Sequence, residues 1–252
     1  MKGLVVGNSQ CGILYSAYKS LAEEIRIELD FFAAPGGNGP CLTLCQDPLS
    51  IQFKFLSDRS RKYFKSNVTD DPKFKIRIED YDFVLLSGVG DAALRKQFNL
   101  VENKAVVSGI CDSNSQRTLP LISKSVYLSI LENRLRRNPS CINISTVGSL
   151  CDKLGKKLFV QMFPLPTPNL VDQEHFSMQH FGADLGRFLS WRYCERSRLI
   201  SEIHSATSFE ILDYDKKWIR DGFFPDEFAY KDAWHPKVGE WFVLNRLSQL
   251  SL

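Results

Sequence analysis

Leu4-Val5-Val6-Gly7-Asn8-Ser9-Gln10 is the stretch on which the reading of the chain turns. Three apolar residues in a row, with no polar alternation, fit a strand buried on both faces, as strands of parallel sheets are. Gly7 closes the run. From Gly12 to Ile25 the period changes: Leu14, Ala17, Tyr18, Leu21 and Ile25 recur at helical spacing and leave Lys19, Glu23, Glu24 and Arg26 for water. A buried strand that turns at once into an amphipathic helix is the opening of a βαβ unit.

The same alternation continues outward. Ile27–Ala34 reads as a second strand, stopped by Pro35-Gly36-Gly37-Asn38-Gly39-Pro40, the strongest breaker cluster in the chain. Residues 47–80 form a polar excursion in which Ile51–Phe55 and Phe74–Ile78 alternate as the arms of a hairpin. Tyr81–Leu86 is the clearest buried strand and ends at Ser87-Gly88-Val89-Gly90-Asp91. Ala105–Val107 is a shorter strand candidate. Ser123–Arg137 reads as a helix halted by Asn138-Pro139, and Lys157–Phe163 as a further strand. Phe181–Ser205 is a long helical stretch, and Pro236–Leu250 a final amphipathic helix with Pro236 in its first turn. The pattern predicts an α/β fold: a three-layer α/β/α sandwich around a mostly parallel sheet. One domain would cover residues 1–252, with insertions at about 45–80 and 164–230.

Composition narrows the function classes. The chain has 252 residues, 44% hydrophobic and 24% charged, enough for a core without covalent staples. Its 32 basic and 29 acidic residues nearly cancel, which argues against a nucleic-acid footprint. No uncharged run of membrane-spanning length occurs, and the first apolar run is too short for a signal peptide. Seven scattered cysteines (11, 41, 45, 111, 141, 151 and 194) read as reduced thiols in a cytoplasm. Neither the Cys41/Cys45 pair nor the looser Cys141/Cys151 pair has zinc-ligand partners at suitable spacing, so no metal is expected.

Two segments carry groups suited to chemistry. Ser9 lies between a strand and a helix, where backbone N–H groups and the helix dipole favour a developing anion; a plain helix cap would use the same residue types. Asp232-Ala233-Trp234-His235-Pro236 places an acid three residues before a histidine, on one turn, able to fix the tautomer and stabilise an imidazolium. Asp221, Asp226 and Glu227 are the other acids that could partner His235. Cys11, at the head of the first helix, is either a thiol activated by the helix terminus or packing. His175, His180 and His204 share no metal spacing. Arg187, Arg192, Arg196 and Arg198 on one helix make either a solvated face or a site for an anionic group. Trp234 and Trp241 either wall the cleft or fill the core.

In order along the chain these blocks resemble the SGNH (GDSL-like) hydrolase superfamily. Gly7-Asn8-Ser9 is similar to its nucleophile block. Gly36-Gly37-Asn38-Gly39 resembles the loop that lends a backbone N–H to the oxyanion hole, and Ser87–Asp91 the Gly-x-Asn-Asp block. Asp232-x-x-His235 resembles its C-terminal block. The resemblance implies a serine esterase or acyltransferase in which Ser9 attacks, His235 is the base and Asp232 orients it. Ser9 N–H and an N–H among Gly37, Asn38 and Gly39 would hold the oxyanion near Gly88. Two departures stand out: Asn8 replaces the usual Asp, and Gly90 stands where the family has an Asn donor, a loss for which Asn38, Gln10 or a bound water could compensate. Gly7-Asn8-Ser9-Gln10 also resembles the Gly-Asn-Cys-Gln loop of capsule-polysaccharide acyltransferase-like proteins, with Ser9 in place of the Cys. The implied substrates are small-molecule or carbohydrate esters with no resident cofactor; acyl-CoA is an alternative acyl donor, its phosphates on the Arg-rich helix. The alternative of another class is a non-catalytic glycoconjugate-binding module.

Overall fold

A computed structural model describes residues 1–21, 27–34, 41–46, 49–54, 58–90, 101–111, 119–170, 179–214, 216–228 and 239–250. The chain begins with β1 (Lys2–Gly7), α1 (Ser9–Leu21) and β2 (Glu28–Ala33). There follow β3 (Cys41–Gln46), β4 (Leu49–Lys54), α2 (Asp58–Lys62), β5 (Lys65–Ser66) and β6 (Ile76–Arg77). Next come β7 (Phe83–Val89), β8 (Val106–Val107), β9 (Leu121–Ile122), α3 (Lys124–Arg137), α4 (Pro139–Leu154) and β10 (Lys157–Met162). α5 (Leu185–Ile203), β11 (Glu210–Ile211) and α6 (Gly239–Asn245) complete the set.

The central sheet has six strands in the order β11-β10-β7-β1-β2-β5. All pairings are parallel except that of β5, which runs antiparallel on the edge beside β2. The protein is therefore mixed α/β with a mostly parallel sheet. Counted along the chain, the parallel strands lie 2-1-3-4-5, so the order reverses between β1 and β7. Register fixes which side chains share a face: Val5, Phe31, Leu85 and Phe159 form one row, and Gly7, Ala33, Ser87 and Gln161 the next on the same side. α1 covers that side through Tyr15 and Tyr18, whose rings lie 5.5 and 5.2 Å from Phe31. The opposite side carries Phe32, packed on Phe64 and Phe74 beside the β3-β4-β6 sheet. It also carries Leu158, beneath Gly148 of α4. β7 is buried throughout, and β1, β2 and β10 beyond their first residues, as the inner strands of a parallel sheet must be. No helix among the described residues is long and apolar enough to cross a membrane.

Local signals explain where the elements depart from the expectation. α1 starts at Ser9 rather than Gly12, because Asn8 caps it. β7 runs on through Ser87, Gly88 and Val89 instead of ending before them. Among the described residues, Ala105–Val107 is not in the central sheet: Val106–Val107 pairs with Leu121–Ile122. The hairpin arms found in the sequence do pair, as β4 with β6, but β4 also pairs with β3, which the sequence reading passed over. Cys41 and Cys45 sit four residues apart on β3, about 13 Å along a strand, too far to share a metal. α4 was missed altogether. Asn138-Pro139 does halt α3, and it also begins α4: the Asn138 side chain accepts from Ser140 N–H, with Pro139 in the first turn.

His204 ends α5 and is buried, its Nδ1 2.8 Å from Ser145 Oγ of α4. Among the described residues its Nε2 has no hydrogen-bond partner. Burial, then the positive charge of Arg136, holds its pKa below the ordinary 6.5. The unfolded chain takes up this proton as pH falls below about 6.5 while the folded chain resists, so stability is full above that value and declines below it. Thermal melts between pH 7.5 and pH 5 should show a falling melting temperature that His204→Gln flattens; parallel pH profiles in the two proteins would refute the assignment.

Candidate active site at the reversal of strand order

The strand order reverses between β1 and β7, and in open α/β sheets the carboxyl ends of strands at such a reversal are where a ligand crevice forms. Ser9, half-buried, is the first residue of α1 at this point. Asn8 builds the junction. Its Oδ1 accepts from Gln10 N–H at 2.9 Å, capping α1, and its Nδ2 donates to Gly88 O at 2.7 Å. One buried amide thus ties the first helix to the neighbouring strand, and the donor and acceptor it meets fix which way round it sits. Gly88 is required opposite it: φ is +75°, and a Cβ there would lie 2.1 Å from Asn8 Oδ1. Just inside, Ser87 Oγ donates to Gln161 Oε1 (2.6 Å), and Gln161 Nε2 donates to Tyr214 OH (2.8 Å). The Tyr214 ring lies 5.8 Å from Phe242 of α6.

The end of β7 is held from the other side by α4. Gly90 N–H donates to Ser140 Oγ at 3.0 Å, and that hydroxyl donates to Asn138 Oδ1 at 2.7 Å. A Cβ at Gly90 would stand 3.2 Å from Arg196 Cδ, so the missing side chain makes room for that arginine. Arg196 is buried, and its Nη2 donates to Phe163 O at the end of β10. Burial, then the neighbouring charge of Arg192, lowers its pKa to about 10, which leaves it cationic at neutral pH.

Of the residues nominated from sequence, the structure brings Ser9, Gln10, Gly88 and Gly90 to the adjoining ends of β1 and β7. Gln10 is buried, on the inner face of α1. The N–H of Gly90 is engaged by Ser140 and not directed to a ligand. His235, Asp232, Gly37, Asn38 and Gly39 lie outside the described residues, as do Asp91, His175, Trp234 and the side chain of Trp241. Cys11 is packing: fully buried, with its thiol pKa pushed far up by burial. The Arg-rich helix does not form a single face. Arg187 and Arg198 are exposed and paired with Asp184, Glu195 and Glu202. Arg192 and Arg196 are buried. Arg192 belongs to a cluster the sequence reading missed: Glu102 Oε1 accepts from Tyr127 OH (2.8 Å), Arg134 Nη1 (2.9 Å) and Arg192 Nε (3.3 Å). Burial, then Arg192, pulls Arg134 down to about 9. The available signal was spacing, since Arg192 and Arg196 fall on the stripe of Leu185, Leu189 and Leu199. All seven cysteines are unbridged, and no group of three metal-binding side chains occurs among the described residues.

If the Asn8 amide is the tie described, Asn8→Ala should cost about 2–3 kcal/mol in urea denaturation, the sum of a lost cap and a lost buried hydrogen bond. Asn8→Asp keeps the acceptor and loses the donor, and should fall between; wild-type stability in Asn8→Ala would contradict the role. No family model, curated protein or solved structure matches the chain.

Proposed function

We propose that the crevice is an acyl-transfer site in which Ser9 attacks an ester carbonyl, His235 serves as general base and Asp232 orients it. On this reading the sheet is the centre of a three-layer α/β/α sandwich of flavodoxin-like strand order, and Ser9 occupies its switch point.

The observation that carries the proposal is the seat of α6. A Cβ at Gly239 would lie 3.1 Å from Ile13 Cγ2 and 3.2 Å from Ala17 Cβ, so α6 begins directly on α1. His235 is four residues earlier, a tether of at most about 14 Å. Ile13 is four residues along α1 from Ser9, about 6 Å. A tether of that length lets His235 reach the neighbourhood of Ser9 on this reading, although 226 residues separate the two in the chain (235 − 9).

In the proposed reaction His235 takes the Ser9 proton as Oγ bonds to the carbonyl carbon. The oxyanion forms at the head of α1, where the helix dipole favours it, with an N–H from Gly37, Asn38 or Gly39 as a further donor. The tetrahedral intermediate collapses, and His235 returns the proton to the departing alcohol. Water or a second hydroxyl then attacks the acyl-serine by the reverse steps. An oxygen ester of a small molecule or carbohydrate is the substrate, and an acyl-CoA thioester is the alternative donor. Seven unbridged thiols fit a reducing compartment. One observation favours a second reading, a binding module without catalysis: Gly90 offers no side-chain donor, and Ser140 holds its N–H.

An alkyl fluorophosphonate separates the two. The catalytic reading expects covalent labelling at Ser9, none in Ser9→Ala, and labelling at least about a thousandfold slower in His235→Ala. Absence of labelling in a protein with unaltered circular dichroism would leave the binding module.

A further inference from the structure

A second concave site lies away from Ser9. A groove of about 810 Å³ opens between the first turns of α5 and the segment 220–223, a volume within the range of small-molecule sites. Its walls include Trp191 and Phe223 as apolar surface, and Arg187, Ser190 and Asp221 as polar groups. Phe224 N–H donates to Pro166 O, four residues beyond the end of β10, which sets the groove on the carboxyl side of the sheet, as Ser9 is.

The groove is built rigidly. Arg220 and Phe223 exchange both backbone hydrogen bonds at 2.9 Å, with φ of +48° at Asp221 and +84° at Gly222 between them. That is a type I′ Asp-Gly hairpin, a tight turn in which an aspartate with positive φ is ordinary. Its tip rests on the α5 backbone: a Cβ at Gly186 would lie 1.8 Å from Asp221 O, and one at Gly222 would lie 2.0 Å from Gly186 O. The opposite wall is equally fixed. Trp191 packs against Tyr127 (5.4 Å) and Phe188 (6.1 Å), and the Tyr127 hydroxyl is anchored by Glu102 and Arg192.

Charge decides what such a groove accepts. Arg187 Nη2 already pairs at 2.6 Å with Asp184, a buried carboxylate. Asp221 adds an exposed carboxylate that makes no hydrogen bond or ion pair among the described residues. Among the described residues the lining therefore has no excess positive charge for a phosphate or carboxylate. It has an acceptor for two hydroxyl donors (Asp221), donors for hydroxyl acceptors (Arg187, Ser190) and two aromatic side chains for C–H surface. We infer that the groove binds an uncharged saccharide unit, with Trp191 as its platform and Asp221 as its hydroxyl acceptor. The site does not include Ser9 and stands whether or not Ser9 is a nucleophile.

The test is binding of the intact chain to a printed array of neutral and anionic glycans, with UDP as a separate nucleotide probe in solution. The expected result is retention by at least one uncharged glycan, weakened about tenfold or more in Asp221→Asn, through loss of charge-assisted hydrogen bonds, and abolished in Trp191→Ala. Trp191→Phe should retain part of the affinity, and Ser9→Ala all of it. Asparagine also tolerates positive φ, so Asp221→Asn keeps the hairpin and stands as a test even if Trp191→Ala does not fold. The inference is overturned if no uncharged glycan is retained, if Asp221→Asn binds like wild type, or if only anionic glycans or UDP bind and Asp221→Asn strengthens them. Any of these outcomes leaves fluorophosphonate labelling of Ser9 to stand or fall by itself.

Discussion

One buried carboxamide ties the junction at which the strand order reverses. The ladder between β1 and β7 ends at Gly7 and Ser87, and beyond it the segments that follow the two strands must supply what holds the junction. Asn8 supplies it, closing α1 with its oxygen and gripping the β7 backbone with its nitrogen. Inside protein, where such bonds are stronger than in water and unpaired groups are costly, that arrangement resists fluctuation. Ser9 is the next residue, so its position is inherited from a neighbour that is itself locked. Gly88 completes the lock by having no side chain to put in the way.

The far side of β7 is organised by charge. Glu102 sits between two arginines, Arg134 and Arg192, with the Tyr127 hydroxyl bridging. A lone buried carboxylate or guanidinium would be strongly disfavoured; together they are tolerable, and their directional bonds hold α3 and α5 in one relative position. Arg196, one turn further along α5, extends positive charge to the ends of β7 and β10. The crevice at Ser9 thus has a helix N-terminus on one flank and a buried cation behind the other, two fields of the same sign.

Sequence reading reached the parts of the fold that local physics decides. β1, β2, β7 and β10 each hold a short apolar run (Leu4–Val6, Phe31–Ala33, Phe83–Leu86 and Leu158–Val160), and such runs admit few readings. α3 and α5 carry clear stripes, and Ser123 and Asn138 are capping residues that could be named in advance. What failed was of a different kind. α4 was hidden because Asn138-Pro139 was taken only as a stop, when the same dipeptide is also a start. β3 pairs with its immediate neighbour β4 and lies beyond the breaker cluster at which the strand signal stops, while β11 is two residues long and takes its identity from the distant β10. At the site, the chemical type of Ser9 and its position after a strand were legible. The link from Asn8 to Gly88 was not, because a contact across 80 residues leaves no local mark. The saccharide groove was equally invisible: Asp221-Gly222 announces a hairpin, but nothing nearby says that its tip will rest on Gly186.

The packing of α6 on α1 has a consequence for how the molecule is made. Ala17 and Gly239 touch across 222 positions (239 − 17). At typical rates of synthesis that interval takes about 10 to 45 seconds, during which the flank of α1 that α6 will cover has no partner. Contacts between residues so distant in the chain are slow to form. The nascent protein therefore carries an unsealed apolar strip beside its would-be nucleophile until translation has passed Gly239. Order of emergence from the ribosome, and not only final energy, governs when this corner becomes dry.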